Sequence, residues 1–212
     1  MSGLLFVARI LAVSALPLAA CWLWFASRIP AFVPVRLLKS AFLGAAMVVP
    51  VAALQYLLPR ASSGFGSVLF RSFVVAALVE EGVKLASLRM ARRFIASGSG
   101  EAAAVGIAAS LGLAIFETAL YSFADPSVAI VRAVTAAPLH ASCGARIGLA
   151  ADAPSLLSPR AVFSAILAIA VHGAYDLSLF VPGFPSFFPI AIAVVAFISA
   201  IGLVGPKNDG DI

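Results

Sequence analysis

The sequence predicts an all-α, polytopic transmembrane helix bundle of about seven spans. Three observations predict it. Residues of the set AVILMFWYC make up 63% of the 212, charged residues make up 11%, and mean hydropathy is +1.11. A soluble domain is about half apolar and about a quarter charged. This chain therefore has too few polar groups to cover a water-soluble globule and too much apolar surface to stay disordered. Finally, apolar stretches of about 20 residues, the length that spans a bilayer as a helix, recur between short breaks. They use up the chain, which reads as a single transmembrane domain over 1–212 with no extramembrane domain.

Turn residues and hydropathy place the spans. Span 1 covers about 3–26 and is closed by Arg28 to Arg36 with two prolines. Span 2 covers about 38–58 and ends at Pro59-Arg60 and a Ser/Gly loop. Span 3, about 68–90, is followed by Arg92-Arg93 and a flexible Ser-Gly stretch at 97–100. Span 4, about 101–123, ends at Asp125-Pro126, and span 5, about 128–151, at Asp152 and Pro154. Span 6, about 160–181, stops at Pro182-Gly183, and span 7, about 185–205, runs into a polar tail. Short loops predict that sequential helices are neighbours. No internal repeat is present, which argues against a transporter of inverted halves.

The net charge is +5. In a soluble protein that balance raises nucleic acid as a partner; here excess Lys and Arg in short loops is the ordinary orientation signal. One side collects Arg28, Arg36, Lys39, Arg89, Arg92, Arg93, Arg160 and Lys207, the other Arg9, Arg60 and Arg71. The first side is expected to be cytoplasmic, with the N-terminus outside and the C-terminus inside. Leu18-Ala19-Ala20-Cys21 resembles a lipoprotein cleavage box, but apolar residues continue through Trp22, Trp24 and Phe25, so a retained first span is favoured. Cys21 and Cys143 form no CxxC motif and no disulfide framework.

Most charges fall in loops. A cluster of exceptions is Glu80, Glu81 and Lys84 in span 3, Glu117 in span 4, Arg132 and His140 in span 5, and His172 and Asp176 in span 6. A charge inside a span costs several kcal/mol unless paired or hydrated, so such residues face the bundle interior and point to function. A network that merely ties helices together is the bland alternative. At about 1.5 Å per residue, Glu80, His140 and His172 each fall roughly 15–18 Å from the outer end, and Glu117 and Asp176 roughly 9 Å. The groups thus form a layer. Helix faces agree: Ala136, His140, Gly144 and Gly148 share one stripe, Ser164, Ala168, His172 and Asp176 another, and Ala102, Gly106, Ser110, Ala114 and Glu117 a third. Small residues at this spacing let membrane helices approach closely. Glu80 and Glu81 point about 100° apart, so one faces the site while the other anchors Lys84 or a neighbouring helix.

These residues resemble four motifs of the PrsW family of intramembrane proteases, which belongs with the CAAX prenyl endopeptidases and their bacterial relatives. Glu80-Glu81-x-x-Lys84 is similar to the first motif and Gly112-x-x-x-Phe116 with Glu117 to the second. Here Glu117 follows Phe116 directly and Thr118 comes next, a closer spacing than the family's usual one. Arg132 and His140 with the glycines at 144 and 148 resemble the third motif, and His172-x-x-x-Asp176 the fourth. The resemblance covers about 75–180, within a catalytic core expected over about 68–182. It implies an integral protein of a bacterial inner membrane that hydrolyses a peptide bond in a transmembrane or juxtamembrane protein substrate, with lipid and not nucleic acid around it.

Amide hydrolysis needs an activated water, an oxyanion stabiliser and a proton donor for the leaving amine. Glu80 can take the proton from water, with Glu117 or a histidine orienting it, and Glu81 is counted among the candidate catalytic residues. His140 and His172 can stabilise the oxyanion or protonate the amine, and Asp176 can orient His172 or take part directly. Lys84 and Arg132 balance charge. If zinc took part, Glu80, Glu117, His140 and His172 would be the ligands; HExxH is absent, so chemistry without a cofactor is favoured. A proton- or ion-coupled carrier is the alternative that uses the same buried groups. It would favour broken helices, and Pro138 could break span 5.

Overall fold

The computed structural model describes residues 3–29, 34–59, 63–95 and 101–205. Pro30, Arg60, the stretch 97–100, the side chain of Arg93, and Lys207 with the tail, all used above, lie outside the described residues. Every regular element among the described residues is helical. They are α1 (Gly3–Arg28), α2 (Pro34–Leu57), α3 (Phe65–Phe70), a π-helical segment (Arg71–Leu78), α4 (Val79–Ile95), α5 (Ala102–Ser122), α6 (Ser127–Val134), α7 (Ala136–Asp152), α8 (Pro159–Phe180) and α9 (Phe187–Ile201).

Each of the seven expected spans has a helical counterpart, but fewer meet the demands of a bilayer on length and composition. Four helices do so alone (α1, α2, α5 and α8), and the bent pair α6 and α7 makes a fifth if it is one span. The differences have local causes. Span 3 is a run of α3, the π segment and α4, and α4 carries Glu80, Glu81, Lys84, Arg89 and Arg92. Span 7 is reduced to the 15 residues of α9.

Helix α5 is the centre of the bundle. Of its apolar window 78% is buried, against 17% for α1, which lies at the edge of the bundle. A helix that is apolar all round is one buried on all sides. The most extensive helix contacts are α5 with α7 and α5 with α2, and α1 packs on α5 and α6. Sequential order therefore predicts the neighbours less well than expected: α5 collects partners from several sides because its Ala and Gly residues leave room on every face.

Close approach is set by glycine. A Cβ on Gly106 would strike the carbonyl oxygen of Gly144, and one on Gly148 would strike that of Ala102, so the stripes on α5 and α7 pack directly on one another. The other side of α5 does the same with α2, where Gly112 meets Ala41 and Gly44 meets Ala109. Gly112, part of a motif in the sequence, thus has a packing role. In these contacts the obstacle is backbone, which cannot give way as a side-chain end can.

The break between α6 and α7 is a 40° bend. Pro138 accounts for it, since its ring excludes the carbonyl four residues back, at Val134, where α6 ends. Thr135 at the bend donates to Val131 O (2.8 Å) and accepts from Tyr175 OH (3.2 Å), which ties the break to α8. At the opposite end of the bundle, Arg36 pairs with Glu101 (2.7 Å) and Arg92 with Asp152 (3.3 Å). Arg89 donates to the carbonyls of Ala151, Ala153 and Pro154 at the end of α7, as cations do at helix C-termini.

The glycine contacts make a prediction. Gly106→Ala should destabilise the protein by about 1–3 kcal/mol or more, because α5 and α7 must separate along their length. Gly82→Ala, with nothing within 4 Å of its new Cβ, should be neutral or stabilising by about 0.5–1 kcal/mol. Thermal unfolding in detergent of the two variants checks this; equal losses would refute the packing account.

Candidate active site

Five helices deliver charged or imidazole groups to one place. Glu80, Glu81 and Lys84 come from α4, Glu117 from α5, Arg132 from α6, His140 from α7, and His172 and Asp176 from α8. All eight belong to one connected set of polar contacts. Glu81 is its hub: Oε1 accepts from Lys84 Nζ and from His172 Nδ1, each at 2.7 Å, and all three residues are buried. Lys84 Nζ also lies 3.8 Å from Glu80 Oε2 and 3.3 Å from His140 Nδ1. Glu117 Oε2 stands 3.0 Å from both Arg132 Nη2 and His140 Nε2. It meets them as charge contacts and not as aligned hydrogen bonds, since it has no partner of hydrogen-bond geometry. His172 Nε2 faces Asp176 at 3.5 Å and Glu80 at 3.9 Å. The two imidazoles meet edge to face, with centroids 5.3 Å apart.

The adjacent glutamates separate as their spacing on a helix demands. Glu80 lines a cavity of about 1080 Å³ together with Glu117, Arg132 and Asp176. Glu81, Lys84, His140 and His172 lie behind that wall. Glu80 Oε2 is buried and has no hydrogen-bond partner. The rest of the cavity is mainly apolar, walled by α2, the π segment, the ends of α5 and α8, and α9. It lies toward the end of the bundle opposite Arg36, Arg89 and Arg92.

The π segment ends two residues before Glu80. Long π stretches are rare and π turns gather at functional sites. This one presses Phe73 against α8 at Gly173, next to His172, where a Cβ would collide with the ring. The segment thereby fixes the distance between the helix of Glu80 and the helix of His172.

Several residues at the site were not singled out by the sequence. Thr118 accepts from Arg132 Nε (3.1 Å), and the Arg132 guanidinium carbon lies 4.7 Å from the centroid of the Tyr121 ring. Tyr175 lines the cavity and holds Thr135. The only signal for these was adjacency: Thr118 follows Glu117 and Tyr175 precedes Asp176.

Glu80, His140 and His172 each offer a ligand atom, all within 4.8 Å of one another. The donor set suits zinc in kind, and the Glu81 carboxylate on His172 Nδ1 leaves Nε2 free, an arrangement common behind metal-bound histidines. Charge also fits. Four carboxylates against Lys84 and Arg132 leave an excess of two negative charges when both imidazoles are neutral. Glu117, expected in a zinc set, is not part of this mutually close group; its Oε2 instead faces Arg132 and His140.

Comparison with known proteins shows the family. Residues 33–202 match the family model described as PrsW family intramembrane metalloprotease. Protease PrsW of Bacillus subtilis (strain 168) is 30% identical over 152 residues, which cover 67% of this chain and 68% of that protein. No solved structure matches the chain. With an all-helical bundle whose long apolar helices can cross a bilayer and a family match over most of its length, the chain belongs to the PrsW family of intramembrane proteases and is an integral membrane protein.

Proposed function

We propose that this protein cleaves a peptide bond of a membrane-protein substrate within the bilayer, and that Glu80 takes the proton from the attacking water. One observation carries the assignment: of the paired glutamates, Glu80 is the one that lines the cavity, while Glu81 is held by Lys84 and His172. A general base must stand within hydrogen-bond reach of the water it deprotonates. His172 is the proton donor for the leaving amine. Glu81 bonds its Nδ1, and Nε2 is turned toward Glu80 and Asp176. Asp176 orients that ring. Glu117 at the cavity wall orients the water, and Arg132 stabilises the oxyanion. His140, with Lys84 on one nitrogen and Glu117 on the other, is a positioning residue. Lys84 balances the two glutamates of its own helix.

The catalytic core is taken as 68–182 of a single transmembrane domain. The substrate enters laterally as a transmembrane or juxtamembrane segment and unwinds locally, because amides in a membrane helix are bonded internally. The face of Arg36, Arg89, Arg92 and Arg160 is cytoplasmic by the positive-inside rule, in the inner membrane of a bacterium. The cavity then opens toward the outer half of the bilayer.

A second reading is favoured by the mutual closeness of Glu80, His140 and His172. In it these three hold a zinc ion, which when bound would lower the pKa of a water and polarise the scissile carbonyl. The Lys84 ammonium, 3.8 Å from Glu80 and 3.3 Å from His140, opposes a second cation there, and for that reason the Glu80 reading is placed first.

Substitution separates the two glutamates. Glu80→Gln should lower turnover about 10²–10⁴-fold and leave the melting temperature unchanged. Glu81→Gln should lower stability by about 3–5 kcal/mol, because it strips Lys84 and His172 of their shared carboxylate. Near-normal turnover of a reconstituted substrate by Glu80→Gln would sink the assignment.

Metal analysis separates the two readings. On the first, purified protein holds less than one metal per chain, chelators leave activity intact, and His172→Ala costs roughly 10²–10³-fold in turnover. One bound zinc per chain, with activity lost to a chelator and restored only by metal, would establish the second.

A further inference from the structure

The other cations near the cavity floor are paired, Lys84 with Glu81 and Arg132 with Glu117. Arg71 is different. It is exposed, opens the π segment, lines the same cavity as Glu80, and makes no ion pair among the described residues. Its guanidinium carbon sits 4.3 Å from the centroid of the Phe180 ring, which closes α8 and also lines the cavity.

Stacking uses the face of a guanidinium. The five N–H donors lie in its plane, so the edge stays open, in the fork geometry that matches a carboxylate bidentately. The ring also limits the rotation of a long side chain, so less entropy is lost when the fork is filled. The surrounding wall is apolar, where a charge-assisted hydrogen bond is stronger than in water.

On the reading of the site as a peptide hydrolase, we propose that Arg71, held on Phe180, is a specificity residue that binds a carboxylate side chain of the substrate. Glu80 lies nine positions after Arg71, at most about 14 Å along the helix at an α-helical rise of about 1.5 Å. An unwound peptide covers about 3.3–3.6 Å per residue. The acidic residue therefore lies about four positions from the scissile bond.

The test uses single-span substrates carrying Glu, Gln or Lys at three to five residues from the scissile bond, in vesicles with and without anionic phospholipid. Cleavage is read as kcat/KM. Binding of the same peptides is read separately on Glu80→Gln protein, which keeps the cavity and lacks the base. The full-length protein should prefer the Glu substrate over the Gln substrate about ten-fold. Arg71→Gln should flatten that preference, and Arg71→Glu should turn it toward the Lys substrate. Equal treatment of Glu and Gln substrates by the unmodified protein, in cleavage and in binding, overturns the proposal. So does a loss in Arg71→Gln that is uniform across substrates and confined to anionic vesicles, which would assign Arg71 to a lipid phosphate. If nothing is cleaved but the Glu peptide binds preferentially and Arg71→Gln abolishes that preference, the hydrolase reading fails and the carboxylate site stands.

Discussion

Glu81 carries the arrangement. One of its oxygens holds Lys84 and His172 at 2.7 Å each, in an interior where all three side chains are almost without exposure. Burial of ions is expensive unless each is paired and hydrogen-bonded. Four carboxylates, two imidazoles, one ammonium and one guanidinium can share this place only because each acid has a nearby cation or imidazole. The remaining excess of two negative charges must be met by two protons or by one divalent cation. That requirement explains why the same geometry supports a metal-free reading and a zinc reading, and why the placement of Lys84 weighs on the choice. With Glu81 committed to holding the helices, Glu80 is left facing the cavity.

Packing makes this charge arrangement possible. Glycine and alanine stripes let α5 lie against α7 on one side and α2 on the other with backbones in contact. That brings Glu117 to His140, while Phe73 over Gly173 sets α8 against the π segment and brings His172 to Glu81. Membrane helices gain little from hiding apolar surface from one another, because lipid is as apolar as they are. Close packing and buried polar contacts are what remain, and this bundle uses both at the same level.

Much of this was legible because the signals were local. Hydropathy marks the helices, charges in apolar stretches mark the site residues, and i+4 stripes mark the packed faces. Pro138 marks the bend, whose position three residues earlier follows from the clash with Val134. What was illegible depends on contacts between distant parts of the chain. The π segment has no sequence signature of its own; it exists where Phe73 meets a glycine 100 residues on. Which of Glu80 and Glu81 faces the cavity is a matter of helix rotation set by His172. Arg71 and Phe180 are far apart in sequence, and Arg71 read simply as a loop-side charge. About seven spans was approximate: four or five helices are long and apolar enough to cross a bilayer, and α4, with Glu80, Glu81, Lys84, Arg89 and Arg92, is not among them.

The central claim is that Glu81 and Lys84 form one unit whose pairing keeps the buried cluster intact. A double-mutant cycle with Glu81→Gln and Lys84→Met, read by unfolding in detergent, measures it directly. The account predicts that each single change costs about 3–5 kcal/mol by leaving a buried charge without its partner. The double variant should cost less than the sum, by a coupling of about 1–3 kcal/mol. Losses that simply add would contradict the account, since they would mean that the two charges hold the site independently of one another.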